Sequence, residues 1–77
     1  MRRNRYEWQA TRETMGQRHP TEIGEYAEKL TAERACDNDA RVKLTWITDS
    51  KTSAHAFHPG KHYTMYVITR VKIPRRR

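Results

Sequence analysis

The sequence predicts a small two-layer α+β domain, in which one helix packs on a three-stranded antiparallel or mixed sheet in the order β-α-β-β. Three segments alternate apolar and polar residues with a period of two, which is typical of half-buried strands. A fourth segment, between the first two, has apolar residues at helical spacing. The chain has 77 residues, which is enough for one hydrophobic core, so we expect residues 1–77 to form a single domain.

The first strand is predicted from Tyr6 to Arg12, because Trp8 and Ala10 alternate there with polar residues. Residues 13–20 show no periodicity and contain a glycine and a proline, so they are predicted to form a loop.

A helix is predicted from Glu22 to about Cys36, with Thr21 in the position of an N-cap. The turn-forming residues at 37–39 would end it. Four apolar residues fall at helical spacing and form the expected buried stripe: Ile23, Tyr26, Ala27 and Leu30.

The second strand is predicted over residues 41–48, where Val42, Leu44 and Trp46 share one face. The polar stretch 49–61 is predicted to be a long loop. Residues 63–73 are rich in β-branched and aromatic residues and are predicted to form the third strand.

In this arrangement the helix covers the sheet face that carries Trp8, Leu44, Trp46, Val67 and Val71. The other face would be uncovered and largely cationic. The residues expected to point outward are Arg5, Arg41, Lys43, Tyr66, Ile68, Arg70 and Lys72.

Charge is segregated along the chain. Residues 21–39 hold six acids and two basic residues, a net of −4, whereas the whole chain has a net charge of +7, so the remainder carries +11. We therefore expect an acidic helix behind the sheet and a basic face in front of it. Such a separation would steer a polyanion to one side of the molecule.

The leading hypothesis is a non-enzymatic nucleic-acid-binding module, in which cations contact phosphates and Tyr66 stacks on a base. Residues 1–4 and 74–77 are predicted to be flexible basic tails, brought to one end of the sheet if the first and last strands lie close together. RNA and DNA remain open, and the same cations could simply keep the sheet soluble. The candidate residues are Arg2, Arg3, Arg5, Arg41, Lys43, Tyr66, Arg70, Lys72, Arg75, Arg76 and Arg77.

The alternative hypothesis is a small regulatory factor that binds, and inhibits or modulates, a larger acidic or nucleic-acid-handling protein assembly. Ile47, Tyr66 and Ile68 would then be the apolar anchors on the uncovered face. The same face, or an edge strand, could also pair two copies of the chain.

Other chemistries have weaker support. His55, His58 and His62 have spacings that could supply three imidazoles to a metal, but a proline and a glycine interrupt the segment, so we predict no metal site and no cofactor.

Cys36, the only cysteine, is expected to be a core thiol. No nucleophile, base and acid set is visible, so we predict no enzyme activity. No apolar run could span a membrane, and we expect a cytoplasmic protein.

Overall fold

Five antiparallel strands form one sheet in the order β2-β1-β5-β4-β3, and a helix lies across one face of it. The computed structural model describes residues 5–73. The termini predicted to be flexible, residues 1–4 and 74–77, lie outside this range. The elements are β1 (Arg5–Thr14), β2 (Thr21–Tyr26), α1 (Lys29–Ala40), β3 (Ile47–Ser50), β4 (Ser53–Phe57) and β5 (Thr64–Ile73).

The α+β class is confirmed, but the three-stranded sheet is wrong. The described residues form five strands, in the chain order β-β-α-β-β-β. The two additional strands are β2, which lies where the first half of the helix was predicted, and β4, which lies in the predicted loop. In addition, β3 begins six residues later than the second strand of the prediction.

The segment at residues 21–26 is a strand because it pairs with β1, with Trp8 opposite Tyr26 and Gln9 opposite Glu25. The helix begins only after Glu28, whose backbone is extended. Its buried residues are Ala32 and Cys36, one turn apart, whereas Leu30 is exposed. The small Ala32 lets the helix backbone approach the sheet closely, so the predicted stripe of larger residues was the wrong one.

Residues 41–46 form an irregular connection instead of a strand. The Asp37 side chain holds this connection: Oδ1 accepts hydrogen bonds from the Leu44 backbone N–H at 3.2 Å and from Trp46 Nε1 at 3.4 Å. Arg41 ends the helix in the left-handed conformation, with φ 61° and ψ 30°. The alternation that predicted a strand thus reflects packing of Leu44 and Trp46 against the core, without ladder hydrogen bonds.

The predicted loop at 49–61 contains the β3–β4 hairpin. Strand β4 pairs with β5 along its whole length. Ala54 and Ala56 are fully buried, and they lie on the same face of the sheet as the helix. Alanine is a weak strand former and His55 and Ser53 are polar, so the sequence pattern resembled a loop.

The sheet has a covered face and an open face, and β5 divides its side chains between them. Ile68 and Tyr66 are buried on the covered face, cross-strand from Ala10 and Arg12. Val67 and Val71 therefore point to the open face. This is the reverse of the prediction, although the period of two was correct.

Candidate functional site

The open face is not cationic. No Lys or Arg occupies a strand position on this face between residues 6 and 72. Its β1–β2 half carries glutamates, and its β3–β4–β5 half is apolar around His55. The expectation of a basic uncovered face with the acids behind it is therefore wrong. The side chains of this face include Glu7, Glu13, Glu22, Glu25, Ile47, His55, Phe57, Met65, Val67 and Val71.

Two residues that were expected to point outward are buried. Ile68 has no exposed surface, and Tyr66 is 2% exposed. Tyr66 Oη donates a hydrogen bond to Asp39 Oδ2 at 2.7 Å, and Arg12 Nη1 contacts the same oxygen at 2.7 Å. This network joins the C-terminal end of α1 to β1 and β5. Neither side chain is available to a base or to a partner protein, and of the three predicted anchors only Ile47 is exposed.

The pKa values in this network follow from its geometry. Burial alone would raise the pKa of Asp39, but the hydrogen bonds from Tyr66 and Arg12 and the nearby positive charges outweigh it and lower the pKa. Burial, reinforced by the bond to Asp39, raises the pKa of Tyr66 to about 12. The hydrogen bond to Asp39 raises the pKa of Arg12. The network thus holds an ionised Asp39 between a neutral phenol and a guanidinium at neutral pH.

A different tyrosine is exposed among cations, at the end of the sheet where β1 begins and β5 ends. Tyr6 is 46% exposed and lies opposite Lys72. The Arg70 guanidinium carbon lies 4.5 Å from the centre of the Tyr6 ring. An aromatic ring with a stacked guanidinium and a neighbouring ammonium combines a surface for stacking bases with donors for phosphates.

Two further lysines lie at the same end. Lys29, at the start of α1, has Nζ 5.9 Å from the centre of the Trp8 ring and 3.2 Å from Thr48 Oγ1. Lys51 precedes Thr52, whose carbonyl oxygen accepts the Arg70 backbone N–H at 2.7 Å. The first turn of α1 contains no acidic residue, although Glu28 immediately precedes it. We call this group the terminal patch: Tyr6, Lys29, Lys51, Arg70 and Lys72.

The predicted proximity of the first and last strands is confirmed, because Arg5 pairs with Ile73 in the β1–β5 ladder. The chain therefore connects both arginine-rich termini to the end of the sheet that carries the terminal patch. Residues 6–72 hold 10 Lys or Arg and 9 acids, a net of only +1, so most of the net charge of +7 belongs to the residues beside these ends. The arginines concerned, apart from Arg5, lie outside the described residues: Arg2, Arg3, Arg75, Arg76 and Arg77.

Arg41 and Lys43 do not join the terminal patch. Arg41 follows the C-terminal end of α1, which lies beside Arg12 and Tyr66, whereas the N-terminal end of the helix lies beside Trp8. Lys43 is exposed in the connection between α1 and β3.

The three clustered histidines serve separate parts of the molecule. His55 Nδ1 lies 2.8 Å from Asp49 Oδ2 on the open face, and His58 Nε2 lies 3.3 Å from the Ala40 carbonyl oxygen. His62 lines a cleft at the far end of the sheet. Among residues 5–73 no three His, Cys, Asp or Glu side chains are grouped so that they could hold a metal ion.

Cys36 is fully buried, as expected for a core thiol. Burial, with the nearby charges of Asp37, Asp39 and Glu33, raises its pKa to about 12. A thiolate nucleophile is therefore not available at this position at neutral pH.

Comparison of the chain with family models, with curated protein sequences and with solved structures gave no significant match. Within the described part of the chain, α1 is too short and too polar to cross a bilayer.

Sequence reasoning identified Arg70 and Lys72 of the terminal patch but missed Tyr6, Lys29 and Lys51. Tyr6 was predicted to lie in the first strand, on the face that the helix covers, with Trp8 and Ala10. Trp8 and Ala10 are buried as predicted, but Tyr6 is 46% exposed. The one available signal was its position at the start of that strand, two residues before Trp8 and next to Arg5.

Proposed function

We propose that this protein is a non-enzymatic nucleic-acid-binding module that uses the terminal patch and the adjoining arginines, instead of the open face of the sheet. The observation that carries the proposal is the Arg70–Tyr6 stack, with Lys72 beside it, at the sheet end to which both arginine-rich termini are attached. The cations neutralise phosphates and release counterions, while the Tyr6–Arg70 pair provides a planar surface for a base.

The proposal includes a cytoplasmic location. It is supported by the single free and buried thiol, which suits a reducing compartment. The module needs no cofactor, because phosphate contacts and stacking are sufficient for this kind of binding.

The test is fluorescence anisotropy with labelled single-stranded DNA and RNA at two salt concentrations. If six or more phosphates are contacted, raising the salt from ~50 to ~200 mM should weaken single-strand binding by roughly 300-fold or more, because the logarithmic salt slope is about −0.7 per phosphate. Arg70→Gln should weaken binding and reduce the salt slope by about 1. Arg34→Gln removes the same charge from an exposed position on α1 and is the matched control. A flat salt response, or equal effects of the two substitutions, would contradict the proposal.

A second candidate function is protein binding by the open face, and a specific observation favours it. Ile47 and Phe57 are about half exposed there, next to the half-buried Val67, and cations are absent from the strand positions of this face between residues 6 and 72. An apolar centre with glutamates on one side suits a partner surface that carries apolar and basic residues.

Affinity capture from a nuclease-treated extract tests this candidate with matched variants. Ile47→Glu places a charge on the open face, and Leu30→Glu places the same charge at a similarly exposed position on α1. Partners lost only with Ile47→Glu support the candidate, and equal capture by both variants contradicts it. Sedimentation velocity of the purified protein tests whether the partner is a second copy.

A further inference from the structure

A cleft of about 400 Å³ opens at the end of the sheet opposite the terminal patch. It lies between the loop that joins β1 to β2 and the loop that joins β4 to β5. Its volume falls within the range of small-molecule sites, which is roughly 300–1,000 Å³. The proposed nucleic-acid site does not account for it, and of the apolar centre of the open face only Phe57 lines it.

Exposed apolar side chains gather at this cleft. Seven large hydrophobic residues are exposed in the described part of the chain, and three of them, Met15, Phe57 and Tyr63, line the cleft. Met15 is 81% exposed, and the two aromatic side chains are slightly more than half exposed. Their clustering in a concave site indicates binding, because scattered single residues would be the ordinary arrangement.

The polar groups of the cleft favour an anion. Arg18, His19 and His62 line it, and Glu13 is its one carboxylate. A guanidinium can donate two parallel hydrogen bonds to a phosphate, and each imidazole can donate one N–H. Aromatic and thioether side chains together with nitrogen donors suit a ligand that has a flat ring and a negative group.

The two loops are held together before any ligand binds. The Met15 backbone N–H donates to the Tyr63 carbonyl oxygen at 2.8 Å and joins the two loops. Within the β1–β2 loop, the Gln17 N–H donates to the Thr14 carbonyl oxygen at 3.0 Å and closes the turn. Gly16 has φ +94°, which a residue with a side chain would adopt only with strain. The walls of the cleft are therefore preorganised, which lowers the entropy cost of binding.

We propose that this cleft binds a planar aromatic ring that carries a phosphate, the chemistry of a nucleoside monophosphate. The ring lies against Tyr63 and Phe57, and the phosphate accepts hydrogen bonds from Arg18 and the imidazoles. This binding is independent of the terminal patch. The same chemistry is present in a free nucleotide and in the 5′-phosphorylated end of a nucleic-acid chain.

The test is an NMR titration of the ¹⁵N-labelled full chain with AMP, with adenosine and inorganic phosphate as the two partial ligands. AMP should shift the amide signals of the cleft loops in a saturable way and bind more tightly than either partial ligand. Tyr63→Ala should weaken AMP binding roughly 5- to 150-fold, the range for loss of one stacking ring. Arg18→Gln should reduce the advantage of AMP over adenosine and leave adenosine binding unchanged. A 5′-phosphorylated tetranucleotide, titrated in parallel, distinguishes a chain end from a free nucleotide as the source of the ligand.

The controls are Tyr6→Ala and Arg70→Gln, which should leave AMP binding unchanged. The cleft side chains are exposed, and circular dichroism checks that their variants fold. Cleft signals that do not move with AMP, or an AMP affinity unaffected by Tyr63→Ala and Arg18→Gln, would overturn the inference. That failure is separable from failure of the proposed function, since loss of oligonucleotide binding in Arg70→Gln is measured at the other end of the sheet.

Discussion

Tyr66 has a structural role and Tyr6 is proposed to stack on a base, so substituting each of them tests the proposed site directly. Tyr66→Phe removes the hydroxyl that donates to Asp39 at 2.7 Å, while the buried ring remains. A hydrogen bond to a charged acceptor contributes ~1.5–3 kcal/mol. Asp39 keeps its contact with Arg12, and its side chain is 30% exposed, so water can replace the hydroxyl in part. We therefore expect the lower end, a loss of about 1.5 kcal/mol.

The assay for Tyr66→Phe is urea unfolding beside oligonucleotide binding. With an m-value of about 1 kcal/mol/M for a small protein, the urea midpoint should fall by about 1.5 M. Oligonucleotide affinity, measured below the new midpoint, should equal that of the wild type, because Tyr66 is covered by α1.

Tyr6→Ala should do the opposite. Loss of a stacking ring weakens single-strand binding by ~1–3 kcal/mol, whereas loss of the exposed cation–π contact with Arg70 costs only ~0.5–1 kcal/mol of folding stability. If Tyr66→Phe weakened binding as strongly as Tyr6→Ala and left the urea midpoint unchanged, Tyr66 would be the stacking residue and its burial under the helix would be incorrect.

Three further predictions concern the core and the network beneath α1. Ile68→Ala, at a position with no exposed surface, should lower the free energy of unfolding by ~2–5 kcal/mol in urea denaturation, and a loss below ~1 kcal/mol would place the residue outside the core. Folding lowers the pKa of Asp39, so the unfolded carboxyl binds a proton more readily than the folded one. The contribution of Asp39 to the free energy of unfolding is therefore complete above pH ~4 and is lost as the pH falls through the folded pKa. Asp39→Asn should lack this part of the acid destabilisation in urea midpoints measured across that range. The Cys36 thiol should react with a disulfide reagent at pH 8 only as fast as the protein unfolds, and rapid labelling of native protein would contradict its burial and its pKa of about 12.

The alternation of apolar and polar residues was sufficient to predict a strand and its buried face where only one face of the strand is apolar. Trp8 and Ala10 alternate with polar neighbours in β1, and both are buried as the pattern predicts. The third predicted strand is also present at nearly its predicted bounds, as β5. In these elements the period of two reports the backbone conformation directly, whatever packs on the sheet.

The alternating pattern did not predict the buried face where both faces of a strand carry apolar residues. Strand β5 has Tyr66 and Ile68 on one side and Val67 and Val71 on the other, so its sequence does not select the face that the helix covers. The prediction chose the wrong face of β5, so Tyr66, which was expected to stack on a base, is buried. The charge segregation along the chain was read correctly, but the glutamates of β2 belong to the open face of the sheet instead of to a helix.

The sequence by itself determined the α+β class, the strands β1 and β5, the core position of Cys36 and the concentration of arginines at both ends of the chain. Only the tertiary structure decided that β2 and β4 are strands, that Tyr6 and not Tyr66 is exposed among cations, and that two distant loops form a cleft around Tyr63. The physical reason is that conformation along a single strand follows from its own side chains, whereas burial and proximity depend on which segments pair with it and which face the helix covers.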